Sequence, residues 1–325
     1  IEEYLDRSRY TYSIATTERV GHATELAQKA VREGADIVCA IGGDGTVNEV
    51  ANGLVHTQTA LAIIPSGSGN GLARHLRIPT DPLNAIKILN RGMTQVMDYG
   101  IVNGKSFFCT CGVGFDAFIS QKFAESGKRG PVSYLENVLN NSLKYHPETY
   151  DVEIVNNKDN EEIHQACKAF LISCANASQY GNNAFIAPAA TMSDGLMDIT
   201  VLEPFSAIEA PQLALQLFNG TLTTNSRVKT FKARKAHIKR LSKAPVHVDG
   251  DPLLTDTEID VEIHPKGILM VVNPSAPPRR LNLLQVFSDQ FNELPQHLMD
   301  MNTEFTRSSE KNIKQFNKSV KKLIE

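Results

Sequence analysis

The sequence predicts a two-part fold: a doubly wound α/β half at the N-terminal side and a β-rich half of sandwich type after it. Three observations carry this. The early part of the chain alternates short apolar runs with amphipathic stretches of about ten residues, the grammar of a parallel sheet covered by helices. Two of the apolar runs end in glycine turns, Gly42–Thr46 (GGDGT) and Ser66–Gly71 (SGSGNG). After Met93 the pattern changes to closely spaced strand-like runs with turn residues between them, as in an antiparallel sandwich or barrel.

Taken in order, Tyr10–Thr17 predicts a strand. Gly21–Glu33 predicts a helix, because Ala23, Leu26, Ala27, Ala30 and Val31 share one face. Asp36–Ile41 (DIVCAI) is nearly all apolar, like a strand that a parallel sheet buries on both faces. A helix over Thr46–Leu54, a second buried strand Ala60–Ile64, and helices near Leu72–Leu76 and Leu83–Asn90 follow. The later strand-like runs are Thr94–Val102, Ser106–Gly112, Tyr150–Val155, Ala169–Ala175, Met197–Leu202, Arg227–Phe231, Ala236–Leu241, Val246–Val248, Glu258–Ile263 and Gly267–Val272. Helical patterns interrupt them at Ala117–Glu125 and Val132–Lys144. Beyond Pro274 the pattern is helical again, with Leu281–Leu294 apolar-rich and Ile313, Phe316, Val320, Leu323 and Ile324 at helical spacing. These shifts divide the chain into 1–96, 97–273 and 274–325.

Composition narrows the function classes. At 325 residues with 42% hydrophobic content, the chain can bury a large core and is not a disordered, collagen-like or coiled-coil design. A net charge of −3 gives no global basic field for nucleic acid. No apolar run approaches the roughly 20 residues of a membrane span. The five cysteines include no CxxC pair and lie mostly in apolar runs, which favours buried thiols over metal or disulfide roles.

The glycine loops carry the chemistry. GGDGTVNE follows a buried strand and opens a helix, so it lies where open α/β sheets bind ligands. Its glycines let the backbone approach a phosphate, while Thr46 and the helix N-terminus add donors. Asp44 inside such a loop is unfavourable against a bare phosphate. It makes sense if it holds Mg²⁺ or takes a proton from an attacking hydroxyl. Two such loops on neighbouring strands can cradle one polyphosphate. GxxxxGK[ST], the HRD and DFG elements and a dehydrogenase GxGxxG are missing, which excludes the P-loop, protein-kinase and dinucleotide readings.

Residues 42–54 (GGDGTVNEVANGL) followed by 64–76 (IPSGSGNGLARHL) resemble the diacylglycerol kinase catalytic domain, shared by bacterial lipid kinases, sphingosine kinases and ceramide kinases. The likeness continues through MDYG (97–100), CGVGFDA (111–117), ANASQYGNNAFIAPAATMSDGLMDI (175–199) and VHVDGDPL (246–253), in the family's order. It implies an α/β half akin to NAD kinases and a phosphoryl transfer from ATP with Mg²⁺ to a lipid hydroxyl. It also implies a cytoplasmic protein working at the inner membrane face through transient contact with that surface. A homodimer is left open.

Residue by residue, the resemblance assigns nucleotide contacts to Thr17, Gly42, Gly43, Asp44, Gly45, Thr46, Val47, Asn48, Glu49, Ser66, Gly67, Ser68, Gly69 and Asn70. It puts Glu49 near the nucleotide or its metal. It implies Asp251 as the general base and Asp98 beside the catalytic metal, linked to Asp44. Asp116 matches a lipid-headgroup position. A structural Mg²⁺ is implied at Asp194, with the main-chain oxygens of Thr191 and Leu196.

The sequence departs from the family pattern at two of these places. Asp251 stands where Glu is usual, which shortens the reach by about 1.5 Å, and Gly71 stands where many bacterial members have Asp. The GSGN loop leans towards the sphingoid-base style. Ile1 reads as the helix after a first strand and an NPxSG-like loop, so a longer natural protein is expected. The last twenty residues carry a net +4, which fits either a membrane-surface helix or a solvated tail. Two rival readings stay open: a soluble-substrate kinase such as an NAD kinase, from GGDGT alone, and a non-catalytic nucleotide- or lipid-binding module.

Overall fold

The computed structural model describes residues 3–126, 145–156 and 161–273. In the first part come helix α1 (His22–Arg32), strand β1 (Ile37–Gly42), α2 (Asp44–Leu54), β2 (Ala60–Pro65), α3 (Gly71–His75) and α4 (Pro82–Arg91). Next are β3 (Thr94–Val102), β4 (Lys105–Phe107), β5 (Thr110–Gly114), α5 (Phe115–Ser126), β6 (Glu148–Asn156), β7 (Glu161–Ala169), β8 (Leu171–Ala175) and β9 (Met197–Leu202). The described chain closes with α6 (Ala210–Asn219), β10 (Val228–Ala233), β11 (Lys235–Arg240), β12 (Ala244–Val248), β13 (Asp251–Thr255) and β14 (Glu258–Val271).

Local signals account for the helix ends. Asp81 caps α4 by accepting the Asn84 amide at 2.9 Å, Pro82 opens the helix, and Gly92 closes it in the left-handed region at φ 63°. β1 and β2 pair in parallel with Gly42 opposite Pro65, so both glycine loops leave the same sheet edge side by side. The expected fold class holds, but the sheet is mixed rather than parallel throughout. β14 runs parallel to β2 and antiparallel to β3 and β11, joining β1 and β2 to the antiparallel strands β11, β6 and β7.

A second, six-stranded antiparallel sheet runs β10-β9-β8-β5-β12-β13. Val102, Tyr150, Val152, Ile238, Val261 and Ile263 from the first sheet pack with Val113, Ile172, Ile199 and Val246 from the second, which makes the sandwich. The α/β core lies on the other side of β14, where Val47, Val50, Leu54, Leu61 and Ile63 pack with Met97 and Met270.

Several boundaries differ from expectation. The runs at 258–263 and 267–272 are one strand, β14, broken by an irregularity between His264 and Ile268. Residues 10–18 form no strand, and residues 3–9 form turns rather than a helix. The alternating aromatics Tyr10 and Tyr12 pack instead on Ala60, Ala62, Ile88 and Leu89, and the Tyr10 hydroxyl bonds the Leu89 carbonyl at 3.1 Å. β7, β13 and α6 escaped the sequence reading: β7 and β13 are polar edge strands with only one half-covered face. The helical patterns at 132–144 and 274–325 lie outside the described residues. All five cysteines are free thiols, and burial pushes the Cys39 thiol up to about 12.

Candidate active site

The two glycine loops pack directly on each other. The Ser66 amide donates to the Gly42 carbonyl at 2.8 Å. A Cβ on Gly67 would stand 2.5 Å from the Gly43 Cα, and one on Gly69 would stand 2.8 Å from Asp44 Oδ2. Gly67 is therefore required by the approach of backbone to backbone, and Gly69 by the approach of the Asp44 carboxylate. Asp44 ties the loops: its Oδ2 accepts the Asn70 amide at 2.8 Å and its Oδ1 the Gly71 amide at 2.7 Å. Burial nevertheless holds the Asp44 carboxyl above its ordinary range, against the pull of those amides.

The residues expected at the nucleotide divide into rim and scaffold. Gly45, Ser66 and Ser68 are exposed and Gly42, Gly43 and Thr46 half-exposed, so their amides and hydroxyls line an open edge. Asn70 is scaffold: buried and left-handed at φ 52°, it accepts the Gly67 amide at 3.0 Å and donates to the Gly67 carbonyl at 2.6 Å. Val47 is buried in the α/β core. Glu49, expected near the nucleotide or its metal, has both carboxylate oxygens on backbone amides. Its Oε1 accepts the Gly21 amide at 2.8 Å and its Oε2 the Ala23 amide at 3.0 Å, capping α1, whose own N-cap glycine has no side chain to do so. Thr17 is exposed in the irregular segment leading to Gly21, whose amide this cap holds.

The aspartate turn between β12 and β13 is bound to the same helix. Asp249, left-handed at φ 49°, accepts the amides of Phe108, Cys109 and Thr110 at 2.8, 2.8 and 3.0 Å. Its Oδ2 also accepts Asn48 Nδ2 at 2.8 Å, while the Asn48 side-chain oxygen takes the Asn52 amide group at 2.8 Å. Asn48 is thus a joint between α2 and the turn. Burial raises the Asp249 carboxyl despite these donors. Asp251 opens β13 and is exposed, as a proton acceptor for an incoming hydroxyl must be.

Three other expected site residues go elsewhere. Asp98 is buried, with its Oδ2 on the Gly195 amide at 2.7 Å and its Oδ1 on the Lys266 amide at 2.8 Å. It braces the 191–196 loop and the β14 irregularity, and neither of these bonds links it to Asp44. Asp116 is also buried. Its Oδ2 meets His247 Nε2 at 3.0 Å and the Tyr180 hydroxyl at 3.0 Å, and its Oδ1 accepts the Ala117 amide at 2.8 Å. Asp194 has its Oδ1 on the Leu196 amide at 3.2 Å and its Oδ2 on Lys232 Nζ at 2.7 Å, and Thr191 bonds Ser193 through their hydroxyls at 3.1 Å.

Sequence alone reads Asp249 only as part of the DGD turn and His247 only as a structural histidine, and leaves Tyr180 unread. The DGD repeat of aspartate was the one signal for Asp249. At Gly71, a Cβ would stand 2.9 Å from the Tyr180 carbonyl, so the missing aspartate there is a packing requirement. Tertiary pairing also assembles Glu153, Glu162 and His164 across β6 and β7; this is an exposed ion-pair group at 3.8–3.9 Å.

For an implied divalent ion the donor sets differ in fit. Asp44 fits: it is a half-buried carboxylate at the edge of the glycine loops, hydrogen-bonded to neutral amides, and a cation beside it would favour its charged form. Asp98, bound to amides in the same way, does not fit, because at 1% exposed it has no room for an ion that keeps several waters. Nor does Asp194, whose outer oxygen already carries an ammonium.

A mixed sheet with two stacked glycine loops, joined to a sandwich that returns an aspartate turn to those loops, defines a kinase-type fold. A family model described as "Diacylglycerol kinase catalytic domain" matches residues 1–102. One described as "YegS C-terminal NAD kinase beta sandwich-like domain" matches residues 109–272. The chain belongs to the diacylglycerol kinase catalytic-domain family. It is 28% identical over 251 residues to a diacylglycerol kinase of Staphylococcus saprophyticus, covering 76% of this chain and 80% of that one. A diacylglycerol kinase of Staphylococcus aureus is 27% identical, with 76% and 78% covered. A crystal structure of a diacylglycerol kinase from Bacillus anthracis superposes with a TM-score of 0.60 at 25% identity, covering 81% of this chain and 86% of that one.

Proposed function

We propose that this protein is an ATP- and Mg²⁺-dependent lipid kinase that phosphorylates the hydroxyl of a membrane lipid of the diacylglycerol class, working at the cytoplasmic membrane face. The observation that carries the reading is the 2.8 Å bond from Asn48 to Asp249, which couples the helix opened by GGDGT to the turn that exposes Asp251.

The exposed rim of Gly45, Thr46, Ser66 and Ser68 offers amides and hydroxyls to the ATP phosphates. Bound Mg²⁺ supplies charge neutralisation at the transferring phosphoryl, the main need of this reaction. Asp44 keeps a carboxylate at the base of that rim. Asp251 accepts the proton of the lipid hydroxyl as that oxygen attacks the γ-phosphorus and the bond to the β-phosphate oxygen breaks, releasing ADP.

The contacts of Asp116 favour a neutral glycerol headgroup over a sphingoid amine. The carboxylate that would meet an ammonium is buried and bonded to His247, Tyr180 and the Ala117 amide. This reverses the lean suggested by GSGN, and the similar staphylococcal proteins, which are diacylglycerol kinases, support it. No helix among the described residues is long and apolar enough to cross a membrane, so the lipid is taken from the surface in this reading.

The deciding assay supplies labelled ATP with mixed micelles of diacylglycerol, of sphingosine, or with NAD and no lipid. Label is expected in phosphatidic acid. Label in NADP alone would give the reading to a soluble-substrate kinase, and no transfer at all would favour a binding module.

A further inference from the structure

Lys232 on β10 stands opposite Asp198 on β9 as a direct cross-strand pair, within a register that runs unbroken from Val228–Leu202 to Ala233–Met197. Its ammonium lies 2.7 Å from Asp194 Oδ2 and 3.3 Å from Asp198 Oδ2. The second contact is an ion pair without hydrogen-bond alignment, since that buried oxygen has no hydrogen-bond partner. The rest of the loop is satisfied by the chain itself: Asp194 Oδ1 takes the Leu196 amide, and Asp98 takes the Gly195 amide. A divalent ion at Asp194 would have to share a carboxylate oxygen with an ammonium held in place by the sheet, against direct repulsion.

We infer that Lys232 is a tethered cation that pairs with both Asp194 and Asp198, so that the Thr191–Leu196 loop folds with no metal ion bound. This departs from the structural Mg²⁺ that the family resemblance implies for that loop. The two arrangements differ in linkage. An ion that binds only the folded state stabilises it in proportion to the logarithm of its free concentration. A lysine of the same chain gives no such dependence.

The test uses the whole protein without nucleotide and measures thermal unfolding in EDTA and in millimolar MgCl2, together with Mn²⁺ binding by electron paramagnetic resonance. The wild type is expected to show no MgCl2-dependent shift of its unfolding temperature, and no bound Mn²⁺, that Asp194→Asn removes. Lys232→Met is expected to lose about 3 °C or more in EDTA and to recover part of it with MgCl2, because the carboxylate pair then accepts the ion. Lys232→Arg, which keeps the charge, should follow the wild type.

A wild-type Mn²⁺ site lost in Asp194→Asn would overturn the inference. So would a Lys232→Met protein indistinguishable from wild type in EDTA. Should Lys232→Met not accumulate folded, the wild-type and Asp194→Asn measurements decide alone. No turnover is read, so the outcome is separate from that of the lipid-kinase reading.

Discussion

Asn48 on α2 donates its side-chain amide to Asp249 Oδ2 at 2.8 Å, across 201 positions of sequence. One bond thus joins the helix that begins at the first glycine loop to the turn that carries Asp251. Removing it with Asn48→Ala leaves Asp249 with its three backbone amides but frees the turn from α2. A loss of about 1.5–3 kcal/mol in stability is expected, the range for hydrogen bonds to a charged group. Turnover should fall further than the stability loss explains. Urea unfolding alongside steady-state kinetics checks both, and a folded Asn48→Ala with wild-type turnover would refute the coupling.

Asp251 is exposed, so its removal should spare the fold. Asp251→Asn is expected to lower kcat by about 10²–10⁴ with an unchanged melting temperature. Asp251→Glu keeps the carboxylate and should retain most of the activity.

The glycine stack has a steric test. Gly67→Ala puts a methyl 2.5 Å from the Gly43 Cα, which is backbone and cannot rotate away. About 1–3 kcal/mol of destabilisation is expected, together with a raised KM for ATP. Gly71→Asp meets the Tyr180 carbonyl at 2.9 Å and should destabilise similarly, although it restores the residue common in relatives. A Gly71→Asp protein as stable as wild type would show that the 180–182 segment yields freely.

Glu49→Ala removes the cap from α1. Such losses are typically about 0.5–2 kcal/mol. Because the cap holds the segment bearing Thr17, KM for ATP is expected to rise while kcat changes little. Equal KM values for the two proteins would argue that this segment takes no part in nucleotide binding.

Asp44 and Asp249 both have carboxyls raised by burial above the ordinary value of 3.8. The folded state therefore binds their protons more tightly than the unfolded state. Their contribution is fully present below 3.8 and is lost as pH rises through the raised native values. Carboxyl NMR of the nucleotide-free protein should show both titrating above 3.8, and Mg·ATP should lower the Asp44 value specifically. An Asp44 titration indifferent to Mg·ATP would remove it from the phosphate site.

The sequence by itself determined the parts whose information is local. Apolar runs, helical periodicity and glycine turns marked β1, β2, α2, α4 and the strands β3 and β9, because burial on both faces and backbone approach leave direct traces in residue type. The loops GGDGT and SGSGNG were legible for the same reason, and the DGD turn through the family resemblance. Only the tertiary structure decided which acid does what. Asp44, Asp98, Asp116, Asp194 and Asp249 look alike in sequence, yet each carboxylate is assigned by the amides, rings or ammonium that distant strands bring within hydrogen-bond reach. Glu49 became a helix cap and Asp249 a bracket on Asn48 through pairings 26 to 201 residues apart, and no local pattern encodes a partner at that separation. Tyr10–Thr17 shows the converse: strand-like alternation forms no strand where the aromatic side chains Tyr10 and Tyr12 are taken up by an apolar surface.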